Sequence, residues 1–259
     1  MQLRVTQSKA DNLLRVMSSL ESIERCDLVV FPEYCMGYPT GPLTRDYLLD
    51  VAEPLSGDFV EEVRKKSGEE EFAVILPIHE KRDGEILNTA VIIDRGKVLG
   101  GYSKVHLFDA LGFRESDFFR AGNSGVLFTI GGLTLGIATC YDVRFPEFMK
   151  DQVMAGARAM IIPAAWFRGP LKEEQWQTLL MARAQETTSY MIGVGNANEN
   201  FVGRSAVINP LGVKVLDLGT GDRIGYCSLD DDQVAEARKA LPVIEQSRGL
   251  PNISFKKLN

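Results

Sequence analysis

Short apolar segments that alternate with helical patterns constrain the fold of this chain more than any other feature. Residues 27–32, 72–77 and 159–163 each contain an apolar run of strand length, without the polar alternation of a half-exposed strand. Strands of this kind are buried on both faces, so helices must cover their sheets from outside. Neither a linker nor a low-complexity segment or repeat interrupts the alternation. The pattern predicts a single layered α/β domain over residues 1–259, with residues 242–259 as a C-terminal tail.

The remaining segments show the helical and strand periodicities that place further elements along the chain. Residues 36–54 are rich in Gly, Pro and aromatic side chains, and we expect a long ordered loop there. The helices are predicted to begin near Asp11 and to cover 60–66, 146–155, 172–188 and 230–241, and the further strands to cover 4–7, 86–93, 97–102, 126–130, 133–139, 191–195, 205–208, 214–218 and 223–229.

The charge and the apolar pattern of the chain argue against several classes of function. A net charge of -6 disfavours a general nucleic-acid binder, which needs basic surface for phosphates, and adhesion to anionic membranes. The longest apolar runs are too short to span a bilayer, and the first residues lack the apolar stretch of a secretory signal. The four cysteines are scattered without a CxxC pair, which suits a reducing compartment. We expect a cytoplasmic protein that binds neither nucleic acid nor membranes.

The low histidine count narrows the hydrolytic chemistry that the chain can use. Only His79 and His106 occur, whereas a catalytic zinc commonly takes two or three histidines, and neither HExxH nor HxH is found. The GxSxG motif of a serine hydrolase is also missing. We therefore expect no metal site.

Three polar residues share one position, directly after an apolar strand: Glu33, Lys104 and Cys140. In layered α/β folds the ends of strands are where sites assemble, and shelter from water strengthens charge interactions there. Taken singly, each has an ordinary explanation as a turn glutamate, an exposed lysine or a core cysteine. Taken together, they offer the parts that amide hydrolysis requires.

Those parts are a nucleophile, a proton carrier and an oxyanion stabiliser. Cys140 begins a predicted helical region, whose backbone N–H groups favour the thiolate that attacks a carbonyl. Glu33 can take the thiol proton, as histidine does in other thiol enzymes. Lys104 and the backbone N–H of Tyr141 can neutralise a tetrahedral oxyanion. The three residues predict a cysteine amidohydrolase with a thioester intermediate.

The motifs around these residues resemble those of the nitrilase, or carbon–nitrogen hydrolase, superfamily. The resemblance covers nearly the whole chain. It implies an α/β fold of the αββα type, a four-layer sandwich, with a triad of Glu33, Lys104 and Cys140. It also implies a homodimer or higher homo-oligomer without a cofactor. The matching motifs are residues 31–34, 102–107 and 140–147, together with 87–90, 163–166, 182–186, 195–197, 203–206 and 210–212.

The same resemblance assigns supporting roles around the triad. Family members often carry a second glutamate near the site, and Glu115 stands in that place, positioning Lys104 or the substrate. Tyr141 and Trp166 are expected to line the pocket. Arg144 has two interpretations: it binds a substrate carboxylate in a bidentate manner, or it pairs structurally with Asp142 or Glu147.

The substrate class follows from the residues after the nucleophile. Tyr-Asp at 141–142, rather than the Trp-Glu typical of nitrilases, is similar to the motif of ω-amidases and deaminated-glutathione amidases. This implies that a small-molecule carboxamide is cleaved to an acid and ammonia. Residues 166–167 and 175–176 depart from the ω-amidase pattern and leave the substrate open. An N-carbamoyl amide hydrolase, a non-catalytic binding protein and a thiol sensor are the alternatives.

Overall fold

The computed structural model describes residues 1–248 and 256–257, and it confirms the αββα architecture. Two β-sheets pack face to face, and helices cover the outer face of each sheet. The first sheet has the strand order β1-β2-β3-β4 and the second has the order β12-β11-β10-β9-β8-β7. The strands are β1 Leu28–Val30, β2 Ala73–Arg82, β3 Glu85–Asp94, β4 Lys97–Ser103, β5 Asp109–Ala110, β6 Phe113–Arg114, β7 Leu127–Ile130, β8 Leu133–Ile137, β9 Ala159–Ala164, β10 Tyr190–Gly195, β11 Ala206–Ile208 and β12 Lys214–Asp217. The α-helices are α1 Lys9–Glu21, α2 Arg45–Val51, α3 Asp58–Glu69, α4 Pro146–Met154, α5 Lys172–Thr187, α6 Asp231–Ala240 and α7 Val243–Arg248.

The apolar runs of the sequence are strands whose two faces are both buried. In β2, Ala73 and Ile75 pack in the core between the sheets, whereas Val74 and Leu76 pack in the core shared with α1 and α3. In β9, Ile161 takes the inner side and its neighbours face the core shared with α4 and α5. Because side chains alternate across a strand, a strand between two apolar layers needs apolar residues at every position.

Three predicted segments differ from the structure. Residues 36–54 contain the short helix α2, which begins where the Thr44 side chain accepts the Tyr47 N–H. Residues 4–7 form no ladder, because side chains satisfy their N–H groups instead, as when Asn12 Oδ1 accepts from Thr6. Residues 224–229 are also irregular, since β12 ends the second sheet and only Arg223 makes an isolated bridge, to Gln2.

The predicted tail at 242–259 begins with a helix. The helix α7 covers Val243–Arg248, and its Ile244 is buried in the core under α5. Apart from residues 256–257, the rest of this segment lies outside the described residues, so its course stays a prediction.

The strand ends bring three parts of the chain to one end of the sandwich. Glu33 follows β1 after two residues, Lys104 directly follows β4, and Cys140 follows β8 after two extended residues. The backbone after β9 also reaches this place, since the Ala165 N–H donates to Glu33 Oε2 at 2.6 Å.

Candidate active site

Cys140 occupies a tight turn at the start of a 3₁₀-helix, Cys140–Arg144. Its φ of 50° lies in the left-handed region, which costs a non-glycine residue about 1 kcal/mol or more and persists only where the surroundings enforce it. The Asp142 carboxylate enforces it locally, because Oδ2 accepts the N–H of Thr139 at 2.8 Å.

The buried Asp142 carboxylate ties this turn to the segment that carries Lys104. Its Oδ2 accepts the Tyr102 hydroxyl at 2.6 Å, and its Oδ1 accepts the His106 backbone N–H at 2.9 Å. Oδ1 also lies 2.8 Å from Nδ1 of the His106 ring, which stacks on Phe145 at a centroid distance of 3.7 Å. One carboxylate therefore fixes the nucleophile turn against the end of β4.

Lys104 lies between two glutamates and is almost wholly buried with both. Its Nζ is 3.0 Å from Glu33 Oε1 and 2.8 Å from Glu115 Oε2. The exposed fractions of the three side chains are 2%, 1% and 0%. Buried charges persist only when they are paired and hydrogen-bonded, and each of these three is.

Glu33 is oriented from both sides by groups of the framework. Its Oε1 accepts the Asn88 side-chain amide at 2.7 Å in addition to Lys104, and its Oε2 accepts the Ala165 N–H. It also lines the same cavity as Cys140, and its charge raises the pKa of the Cys140 thiol. The carboxylate thus pairs with the ammonium group and shares a cavity with the sulfur.

Glu115 has its acceptor positions filled by donors of the protein. Besides Lys104, its Oε1 accepts from Asn88 Nδ2 and from the Tyr34 hydroxyl, both at 3.1 Å. Its Oε2 accepts the Phe108 N–H at 2.7 Å. A carboxylate so fully occupied holds Lys104 in place and has little capacity left for a substrate.

The charges of this cluster act on the pKa values of Lys104 and Cys140. Burial works to lower the pKa of Lys104, but the carboxylates of Glu115 and Glu33 outweigh it and hold that pKa well above its ordinary value. Burial raises the pKa of the Cys140 thiol well above its usual range, and the charge of Glu33 raises it further. The resting site therefore contains an ammonium group and a protonated thiol.

A small cavity of about 20 Å³ opens over Cys140, with room for about one water molecule. Three of the predicted pocket residues line it: Tyr141, Arg144 and Trp166. A wider groove of about 580 Å³ adjoins it. Both spaces share four wall residues, namely Phe108, Phe113, Phe167 and Lys172.

Arg144 pairs neither with Asp142 nor with Glu147 in the part of the chain that the structure describes. Its Nη2 donates to Gln175 Oε1 at 2.9 Å, and its Cζ lies 4.8 Å from the centroid of the Trp166 ring. The side chain therefore keeps its charge uncompensated beside the cavity.

Sequence reasoning missed two residues of the site. Asn88 belongs to a matching motif but received no role, although its amide joins Glu33 and Glu115. Lys172 was assigned only to a helix. The charge of Lys172 could have marked it as a functional candidate, because a cation at the first position of a helix is disfavoured by the helix dipole.

Residues 1–248 and 256–257 contain neither a metal-binding cluster nor a membrane-spanning helix. Groups of three or more His, Cys, Asp or Glu side chains arranged to hold a metal ion were not found there. None of the helices in that part of the chain is both long and apolar enough to cross a membrane.

Comparisons with known proteins define the class to which this fold and site belong. The carbon–nitrogen hydrolase family matches residues 1–239, so the chain belongs to that family. It is a hydrolase that acts on carbon–nitrogen bonds, and its relatives include proteins named as amidases.

Individual relatives are similar over most of their length. The deaminated glutathione amidase of Escherichia coli O157:H7 is 36% identical, over 80% of this chain and 79% of its own. The omega-amidase NIT2 of Bos taurus is 30% identical, over 95% of this chain and 93% of its own. The crystal structure of Saccharomyces cerevisiae Nit3, a nitrilase superfamily member, superposes with a TM-score of 0.82 at 26% identity, covering 96% of this chain and 94% of that one.

Proposed function

We propose that this protein is a metal-independent cysteine amidohydrolase that converts a small-molecule carboxamide into a carboxylic acid and ammonia. Glu33, Lys104 and Cys140 act as the catalytic residues. The observation that carries the proposal is the buried Glu33 carboxylate, which accepts a 3.0 Å hydrogen bond from the ammonium group of Lys104 and lines the same cavity as the thiol of Cys140. A nucleophile, a proton carrier and a fixed positive charge thus share one sheltered space.

The first half-reaction forms a thioester. Glu33 takes the proton from Cys140 as the sulfur attacks the carboxamide carbon, and the carbonyl π electrons move to oxygen. Lys104 and the Tyr141 N–H stabilise the oxyanion. As the tetrahedral intermediate collapses, the C–N bond breaks, and Glu33 returns its proton to the leaving nitrogen, so that ammonia departs.

The second half-reaction restores the enzyme. A water molecule attacks the thioester carbon while Glu33 takes one of its protons. The C–S bond then breaks, the thiolate recovers that proton from Glu33, and the carboxylic acid is released. Glu115 takes no proton in either step, because its role is to position Lys104.

The substrate class that we propose is an ω-amide of a short carboxylic acid. The names of two similar proteins, an omega-amidase and a deaminated glutathione amidase, support it. The uncompensated charge of Arg144 beside the cavity supports it as well, since guanidinium groups suit carboxylates. A narrow cavity over the sulfur favours an unbranched carboxamide end.

The test is a screen for ammonia release from 2-oxo acid ω-amides, N-carbamoyl compounds and aliphatic amides. We expect turnover of the ω-amides and its loss in Cys140→Ala with the circular dichroism spectrum unchanged. Cys227→Ala, at an exposed cysteine, is the matched control and should retain the full rate.

Three results would redirect the proposal. Carbon dioxide released with the ammonia would indicate an N-carbamoyl hydrolase. Binding without turnover of any amide would indicate a non-catalytic protein. Equal rates of ammonia release by wild type and Cys140→Ala would show that Cys140 is not the nucleophile.

A further inference from the structure

A pair of cations stands beside the cavity without a carboxylate partner. Arg144 Cζ lies 4.8 Å and Lys172 Nζ 5.9 Å from the centroid of the same ring, that of Trp166. Arg144 donates to the neutral side chain of Gln175. Neither cation takes part in any ion pair within residues 1–248 and 256–257.

The two charges disfavour each other in the resting protein. Partial burial lowers the pKa of Lys172, and the neighbouring charge of Arg144 lowers it further. Like charges held close together, partly out of water, raise the free energy of the site until an anion joins them. The arrangement is therefore suited to an anionic ligand.

Lys172 also contradicts the local preferences of its helix. It is the first residue of α5, where the partial positive charge of the helix N-terminus disfavours a cation. The preceding residue, Leu171, has a left-handed φ of 58° and an apolar side chain that cannot cap the helix. A local rule broken in this way, without an evident structural gain, is typical of functional positions.

The acidic residues next to Lys172 do not neutralise it. Glu173 forms its ion pair with Arg204, 3.4 Å away, and Glu174 is exposed to solvent. The charge of Lys172 is therefore available to a ligand in the cavity that this side chain lines.

That space is the one over the nucleophile. Lys172 and Arg144 line the same cavity as Cys140, and Lys172 also borders the wider groove. A short substrate with its carboxamide at Cys140 would present its other end to this cation pair.

We propose that Lys172, together with Arg144, forms an anion subsite that selects amides carrying a carboxylate. Lys172 is a specificity-determining residue in this arrangement and takes no part in the covalent steps. The inference rests on the proposed amidase function and names the residues that recognise the acid end of the substrate.

The experiment compares two nearly isosteric substrates, succinamate and 4-oxopentanamide. In 4-oxopentanamide a methyl group replaces the negatively charged oxygen of succinamate. Wild type should prefer succinamate in kcat/KM. Lys172→Met should reduce that preference about 10- to 100-fold, the loss expected for one charge-assisted hydrogen bond, mainly through KM. Lys172→Arg should restore part of it. Lys97→Met, at an exposed lysine of β4, removes the same charge away from the site and should leave the preference unchanged.

A binding measurement separates failure of this inference from failure of the amidase proposal. Succinate, titrated calorimetrically into Cys140→Ala and Cys140→Ala/Lys172→Met, should bind at least tenfold more weakly to the second. Equal succinate affinities, or an unchanged substrate preference in Lys172→Met, would overturn the subsite. Lack of turnover by wild type on every amide would count against the amidase function, while the succinate titration would still decide the role of Lys172.

Discussion

The carboxylate of Glu115 can be changed to an amide of the same shape, which removes its charge and half of its acceptor capacity. In Glu115→Gln one oxygen remains and the other becomes an NH₂ group. In wild type, Glu115 Oε2 accepts hydrogen bonds from Lys104 Nζ at 2.8 Å and from the Phe108 N–H at 2.7 Å. Its Oε1 accepts hydrogen bonds from the Tyr34 hydroxyl and the Asn88 amide. Either orientation of the new amide therefore leaves buried donors facing a donor.

The size of the effect follows from the donors that lose their acceptor. A buried donor without a partner costs about 1–3 kcal/mol, with charged donors at the upper end. If about 2–3 kcal/mol of this is lost from the transition state through displacement of Lys104, kcat falls roughly 30- to 150-fold. The charge of Glu115 contributes to the raised pKa of Cys140, so that pKa should fall in the variant. The thiol becomes more acidic while turnover becomes slower.

The two readouts need different assays and one matched control. Steady-state ammonia release gives kcat, and the pH dependence of iodoacetamide labelling, followed on the Cys140 peptide by mass spectrometry, gives the thiol pKa. Glu53→Gln is the control. Glu53 is also a buried glutamate, and its Oε1 accepts the N–H of Phe59 at 2.7 Å at the start of α3, away from the triad. It should lower the free energy of unfolding and leave kcat unchanged.

Three outcomes would refute this reasoning. A kcat within threefold of wild type would mean that Lys104 keeps its catalytic position without Glu115. A pKa of Cys140 that rises in the variant would contradict the electrostatic account of the site. An equal loss of kcat in Glu53→Gln would attribute the whole effect to general destabilisation.

Three further predictions concern the framework and the chemistry. Tyr102→Phe removes the 2.6 Å hydrogen bond to buried Asp142 and should lower the free energy of unfolding in urea by about 1–3 kcal/mol; an unchanged midpoint would contradict it. Burial lowers the pKa of His79 to about 4 from 6.5, so the stability it contributes is present above pH 6.5 and lost as pH falls towards 4. Over that pH range the free energy of unfolding, measured by urea titration, should therefore fall by up to about 3 kcal/mol less in His79→Gln than in wild type. Parallel plots of this free energy against pH for the two proteins would refute the prediction. Incubation with EDTA should leave the rate of ammonia release unchanged. A large loss of activity that added zinc reverses would indicate a metal-dependent mechanism instead.

The sequence predicted the position of a residue well where that position depends only on the strand that precedes it. Glu33, Lys104 and Cys140 were placed at strand ends because each follows an apolar run, and strand ends determine where such residues lie. The role of Asn88 could not be reached in this way. It lies inside β3, and only the sheet order, with β3 between β2 and β4, brings its amide between two glutamates distant in sequence.

Elements stabilised by tertiary contacts were the ones that local patterns missed. The helix α2 has only seven residues, too few to be stable alone, and it depends on burial of Leu48 and Val51. Residues 223–229 have the composition of a strand, but a strand exists only where a neighbour offers a ladder. Similarly, the sequence allowed two roles for Arg144, because the side chain's partner depends on where Gln175 and Trp166 lie in the fold.

The charge of the buried cluster determines which residue can act as the base. With Glu33 and Glu115 ionised and Lys104 protonated, the cluster carries a net charge of −1 while the thiol of Cys140 stays neutral. Loss of the thiol proton to bulk water would change this net charge to −2 in a buried site, which agrees with the raised pKa of Cys140. Lys104 cannot accept the proton, because its own pKa is held well above the ordinary value. In the proposed mechanism, transfer to Glu33 keeps the total at −1, so the thiolate forms only as Glu33 becomes protonated, and that same proton is then available for the leaving ammonia.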